Sequence, residues 1–199
     1  MMKAMASRVL GPICVLLVMT FHAAAAEAPQ ALIERLGGEA ISLAADKQAS
    51  DKDKRAGFEH LFQEGFDVPL VARIVMGRHW RTATPAEREE FVSLFHTYIV
   101  GTYAKRLDAY SGQTFSVSGE QKLNDEEVMV KSVIQEPGGP DLKVDWRVRT
   151  KDGESRIVDV IIEGVSMAIT HRSEFDSVIA KTGRVETLLE RLRSQTGQG

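Results

Sequence analysis

Cysteine is all but missing from this sequence. Among 199 residues there is one, Cys14, and it falls inside an apolar N-terminal run. Beyond that run there is no thiol, so a disulfide framework, a thiol nucleophile and a cysteine metal site are excluded. An excess of positive charge is missing too. Lys and Arg number 25 against 28 Asp and Glu, giving −3 overall, so there is no electrostatic case for nucleic acid or an anionic membrane surface. Long hydrophobic runs are missing apart from Val9 to Phe21, which is too short to span a bilayer, so stable membrane insertion is not expected. A nucleophile elbow, a phosphate loop, a dinucleotide glycine pattern and a zinc-protease helix are all absent. The histidines after the N-terminal run are His60, His79, His96 and His171. None lies three or four residues from another, so hydrogen-bonded or surface histidines are expected, with no metal and no cofactor.

Residues 1–26 read as a secretory signal peptide. Lys3 and Arg8 give the positive start, Val9 to Phe21 the apolar core, and Ala24-Ala25-Ala26 the small-residue cleavage site before Glu27. Ile13 stands where a lipoprotein signal needs a small residue, so lipid attachment at Cys14 is not expected. Loss of the segment takes the net charge from −3 to −5. The remainder, residues 27–199, is expected to fold as one domain whose stability comes from its core alone.

What the remainder does have is a helical first half. Leu32, Ile33, Leu36, Ala40 and Leu43 keep helical spacing across the weak point Gly37-Gly38. Ser50-Asp51-Lys52-Asp53 starts a second helix with Phe58, Leu61, Phe62 and Phe66 on its face. Asp67 caps a third, ending near Gly77. The strongest signal follows. Thr84, Pro85 and Glu87 form a capping-box start, and Phe91, Leu94, Phe95, Tyr98, Ile99, Thr102, Tyr103, Leu107 and Tyr110 mark one stripe. This spacing predicts a helix from Thr84 to Tyr110 lying against the strands that come next.

After Ser111-Gly112 the period changes to two. Strands are expected near Phe115–Leu123, Val128–Gln135, Leu142–Arg149 and Ile157–Ile162, with turns at Asn124-Asp125, Pro137 to Pro140 and Lys151-Asp152-Gly153. Leu142, Val144, Trp146 and Val148 alternate with charged residues, as in a half-buried strand. Val165 to Thr170 reads as a bent extension of the last strand, with a helix from Ser173 and another through Leu192. The expected fold is α+β: a helical part at about 30–110, an antiparallel sheet at about 114–170 and C-terminal helices at about 173–194. Asp159 has apolar neighbours and is expected to be buried against an arginine or other donor. A rival use is a proton-abstracting base in an isomerase-like enzyme.

Several blocks together resemble a known family. Phe66-Asp67-Val68-Pro69 leads into Ala72-Arg73-Ile74-Val75-Met76-Gly77-Arg78-His79-Trp80-Arg81, and Ala83 to Phe91, Tyr110-Ser111-Gly112 and Asp159 to Met167 follow. The chain from about Leu32 to Leu192 resembles the MlaC family, also called the toluene-tolerance auxiliary family. One departure is that Gly153-Glu154-Ser155-Arg156 lacks the tryptophan that the family often carries after this turn.

The resemblance implies a curved antiparallel sheet (an NTF2-like roll) packed on helices with a lipid cavity between them. It also implies a periplasmic phospholipid carrier, monomeric, with no enzyme activity. Its partners would be phospholipid acyl chains, an inner-membrane MCE/ABC transporter complex and an outer-membrane lipoprotein complex. A hopanoid carrier is the alternative within the same fold. On periodicity and motif position, the expected lining is Val71, Ile74, Val75, Phe95, Tyr98 and Ile99 from the helices. Val144, Trp146, Val148, Val160 and Ile162 would line it from the sheet, with Val165 and Met167 near the mouth. Arg73, Arg78 and Arg81 are weighed as phosphate contacts.

Overall fold

A computed structural model describes residues 27–197. The signal-peptide reading falls on residues outside these. Among the described residues five helices come first: α1 (Pro29–Ala45), α2 (Asp51–Gly65), α3 (Val68–Met76), the short α4 (His79–Thr82) and α5 (Pro85–Tyr103). A meander of β1 (Thr114–Lys122), β2 (Glu127–Gln135), β3 (Leu142–Lys151), β4 (Glu154–Ile162) and the two-residue β5 (Val165–Ser166) follows, then α6 (Met167–Ala180) and α7 (Glu186–Thr196). The class is α+β, with a curved antiparallel sheet in the order β1-β2-β3-β4-β5.

Local chemistry sets the helix starts. Ser50 and Asp53 close a capping box on α2, Thr84 and Glu87 close one on α5, and Asp67 accepts the Leu70 amide to cap α3. α1 runs unbroken through Gly37-Gly38. Three expectations need correction. The α-helix from Thr84 stops at Tyr103 and tightens into a 3₁₀ turn over Ala104–Ala109. Gly101 and Thr102 are weak helix formers, and the Thr102 hydroxyl bonds back to the Tyr98 carbonyl.

Second, α5 does not lie on the sheet. Its large side chains pack with α3, α6 and α7, and α1 is the helix that crosses the inner sheet face, touching β1 through β4. Gly37 permits this, because a Cβ there would collide with the Phe115 ring. That ring in turn meets Trp146 edge-on at 6.5 Å. Third, of the expected bent extension Val165 to Thr170 only Val165–Ser166 is strand, turned back on β4 as β5, and the chain is helical from Met167. Glu163 and Gly164 turn the chain at φ 48° and 80°, and Ser166 accepts the Ile169 amide to open α6 seven residues before the expected Ser173.

Two apolar clusters result. The larger is helical and holds Phe91, Phe95, Met76, Phe175, Ile179 and the leucines of α7. The smaller lies under α1, with Leu32, Ile33 and Leu36 against Val130, Val148 and Ile157. One extra residue in β4, Val158, shifts the β3–β4 register between Arg147 and Val148. Where the family's tryptophan is missing, Ser155 takes polar partners instead. Its hydroxyl donates to the Glu27 carbonyl at 2.7 Å and meets Thr150 Oγ1 at 2.9 Å.

Candidate functional site

Between the two clusters the side chains stop short of one another. They leave a cavity of about 550 Å³. Its walls come from α1 and α2 on one side, α3 and α5 on another, and β2, β3 and β4 as the floor. From α1 come Ile33, Leu36, Gly37, Ala40, Ile41 and Ala44. Small residues at positions 37, 40 and 44 recur on one helix face, so that face presents no bulk to the space.

Among the described residues, the exposed ones on the wall, Arg106 and Ala109, both sit on the 3₁₀ turn. Near them in sequence are Tyr103, Leu107, Tyr110 and Gln113. The sheet residues Ile134, Glu136, Leu142 and Ile162 line the same space and share one end of the sheet, where Ile134 pairs with Leu142 and Val144 with Ile162. The cavity therefore opens at this end, between the 3₁₀ turn and the starts and ends of the strands. A smaller charged hollow of about 270 Å³ lies at the other end, around the β3–β4 turn, between Asp67, Arg149, Arg156 and Glu154.

Of the residues expected to line a cavity, Val71, Val75, Phe95 and Ile99 stand on its helical walls. Val144, Trp146, Val160, Ile162 and Met167 stand on its sheet side. Four do not. Ile74 faces the helical cluster, a quarter-turn from Val75. Tyr98 packs edge-on against His171 and Phe175. Val148 is sealed under α1 with no exposed surface. Val165 points outward at 54% exposure. The α1 and α2 walls, including Phe58, Leu61 and Phe62, were not anticipated. The signal available for them was the helical spacing of α1 with its small residues on one face.

Polar groups on the wall are few and mostly bonded. The Asp159 carboxylate accepts from Ser166 Oγ at 2.6 Å and from the Ala168 amide at 3.0 Å. Its donor is thus the start of α6, not an arginine, and the helix dipole favours the charge there. His171 is buried among Phe95, Tyr98, Tyr103 and Phe175. Its Nε2 lies 3.2 Å from the Tyr103 hydroxyl and its Nδ1 3.2 Å from Glu174. Burial pushes the Tyr103 phenol above its ordinary range.

The arginines weighed as phosphate contacts are elsewhere. Arg78 pairs with Asp176 at 2.8 Å, and Arg73 and Arg81 are exposed off the wall. The His79 hydrogen bond, with help from Arg78, holds the Asp176 carboxyl below its usual range. Among the described residues no group of three or more His, Cys, Asp or Glu could hold a metal ion, and no helix is long and apolar enough to cross a membrane.

The family model described as MlaC protein matches residues 34–194. The chain belongs to the MlaC family. One MlaC relative, the intermembrane phospholipid transport system binding protein of Haemophilus influenzae, is 27% identical over 128 residues. The match covers 62% of this chain and 59% of that protein, less than two thirds of its length. A solved phospholipid-binding protein from Ralstonia solanacearum, in complex with a phospholipid, has the same fold. It superposes with a TM-score of 0.77 at 22% identity, over 86% of this chain and 98% of that one.

Proposed function

We propose that this chain is a periplasmic phospholipid carrier, the soluble component that moves lipid between the outer and inner membranes for an ABC-type transport system. The observation that carries the reading is the apolar cavity of about 550 Å³, open at one end of the sheet. Moving an acyl chain into water costs about 0.8 kcal/mol per methylene, so a chain of about sixteen costs about 13 kcal/mol. A carrier must replace most of that loss with apolar contact, and it needs no nucleophile or metal to do so. Energy for directed movement would come from a partner, here an inner-membrane MCE/ABC complex, with an outer-membrane lipoprotein complex at the other end. The names of the relatives support phospholipid as the cargo. The isomerase reading of Asp159 draws no support from its surroundings, since the carboxylate holds the start of α6.

The test is what travels with the protein. Chain purified from the periplasm of its host and extracted into organic solvent should yield phospholipid by mass spectrometry. Val160→Trp and Ile162→Trp, which push bulk into the cavity, should each lower the recovered lipid at least several-fold while leaving the fold intact. Unchanged recovery in both variants, or no lipid from the unaltered chain, would overturn the reading.

A further inference from the structure

An apolar cavity sorts molecules by their tails. Sorting by head group needs polar groups at the opening, and this opening has a particular pair. Arg106 is the one Lys or Arg on the cavity wall among the described residues. It makes no hydrogen bond or ion pair with any described residue, and its guanidinium stands 5.5 Å from the centre of the Tyr103 ring. Other described arginines are either engaged, as Arg35 is on Glu27 and Glu64, Arg149 on Glu126 and Arg193 on Glu90 and Glu186, or, like Arg55, Arg73, Arg81, Arg172, Arg184 and Arg191, stand off the cavity wall. A guanidinium held over an aromatic ring spends none of its N–H donors on a hydrogen-bond acceptor and keeps them for an oxyanion.

The wall carries two carboxylates. Asp159 has both oxygens occupied at the start of α6. Glu136, at the end of β2 beside the opening, accepts from the Gln113 side-chain amide on Oε2 at 2.8 Å, and no described residue bonds its Oε1. Gln113 is itself held by Ser111 at 3.4 Å, so Glu136 is positioned while one oxygen stays open. The wall thus carries, among the described residues, an unpaired cation on the 3₁₀ turn, over Tyr103, and a half-used carboxylate just past the end of β2, held by Gln113.

We infer that this opening reads a zwitterionic head group, with Arg106 taking the phosphodiester and Glu136 the terminal ammonium. The inference rests on the carrier reading above and deepens it from tails to heads. An aminoalcohol phospholipid meets both charges with their opposites. A phospholipid whose head ends in hydroxyls satisfies Arg106 and leaves Glu136 facing a neutral group.

The experiment uses delipidated full-length mature chain and vesicles of equal parts phosphatidylethanolamine and phosphatidylglycerol with identical acyl chains. Protein is separated from vesicles and its lipid counted by mass spectrometry. A solvent-exposed ion pair yields a preference of up to about fivefold, so bound phosphatidylethanolamine should exceed phosphatidylglycerol by roughly threefold to fivefold. Glu136→Gln should bring the ratio to about one by lowering the bound phosphatidylethanolamine. Arg106→Gln should lower retention of both phospholipids and leave retention of a matched diacylglycerol, which has no phosphate, unaltered. A ratio of one in the unaltered chain, a preference that survives Glu136→Gln, or an Arg106→Gln loss that extends equally to diacylglycerol would each overturn the head-group assignment while the carrier reading stands. A chain that takes up none of the three lipids would overturn both.

Discussion

Between α5, α6 and α7 the chain packs ring into ring. Phe91 stacks on Phe95 at 5.8 Å and meets Phe175 edge-on at 5.8 Å, and Leu188, Leu189 and Leu192 of α7 have no exposed surface. Between this cluster and the one under α1 the same kinds of residue stop short and leave an unfilled space. An apolar hollow forfeits dispersion contacts that a filled core collects. The hollow therefore stands only because the helical cluster beside it is complete, and because α1 is pinned to the sheet through Phe115 on Gly37. Stability and binding space are divided between two neighbouring regions of one small fold.

The largest effect should come from breaking the filled side. Phe91→Ala should cost about 4 kcal/mol in a urea titration, whereas Ile99→Ala on the cavity wall should cost under about 2 kcal/mol. Equal costs would mean that the wall is as tightly packed as the core. Next comes a contrast within the sheet. Val148→Trp strikes the sealed cluster under α1 and should cost about 3 kcal/mol, while Val160→Trp finds room and should cost under about 1 kcal/mol. A well-tolerated Val148→Trp would place the boundary of the hollow elsewhere.

A third measure concerns the join between sheet and helices. Asp159→Ala leaves Ser166 Oγ and the Ala168 amide without their acceptor and should cost about 2 kcal/mol. Combined with Ser166→Ala it should cost less than the two single changes added together, because both act on one cap. Additive losses would separate the two roles. The smallest effect is in alkali. The folded pKa of Tyr103 is raised, so the stability it contributes is fully present below the unfolded value of about 10 and is lost as pH rises from there through the folded value. Tyr103→Phe should remove that part of the alkaline decline, read as a flatter plot of melting temperature against pH above 10.

Features decided within a few residues were legible in the sequence. The helix start at Ser50, the capping box at Thr84 and the alternation of β3 need only local chemistry, and they form where expected. The choice of partner was not legible. An amphipathic stripe says that a helix is buried and not what buries it, so the stripe on α5 points as readily to the sheet as to the helices that cover it. The start of α6 is hidden because Glu163-Gly164 is a true strand turn into β5, which lasts only two residues, and Ser166 lacks an acidic residue at the third helical position. Wall and core are also indistinguishable by residue type. Val144 and Val148 share a strand and a face, and only α1, brought over from the far end of the chain, seals one and leaves the other on the hollow.

The hydrogen bond from Ser155 to Glu27 has a practical side. It fastens the beginning of the described chain to the β3–β4 turn, whereas Arg106 and Leu142 mark the opening at the far ends of those strands. Over the ten residues of β3 that separation is about 30 Å. A fluorophore, purification handle or sensor-chip tether joined upstream of Glu27 would thus stand clear of the entrance, and lipid exchange could be watched on immobilised protein without the anchor obstructing it.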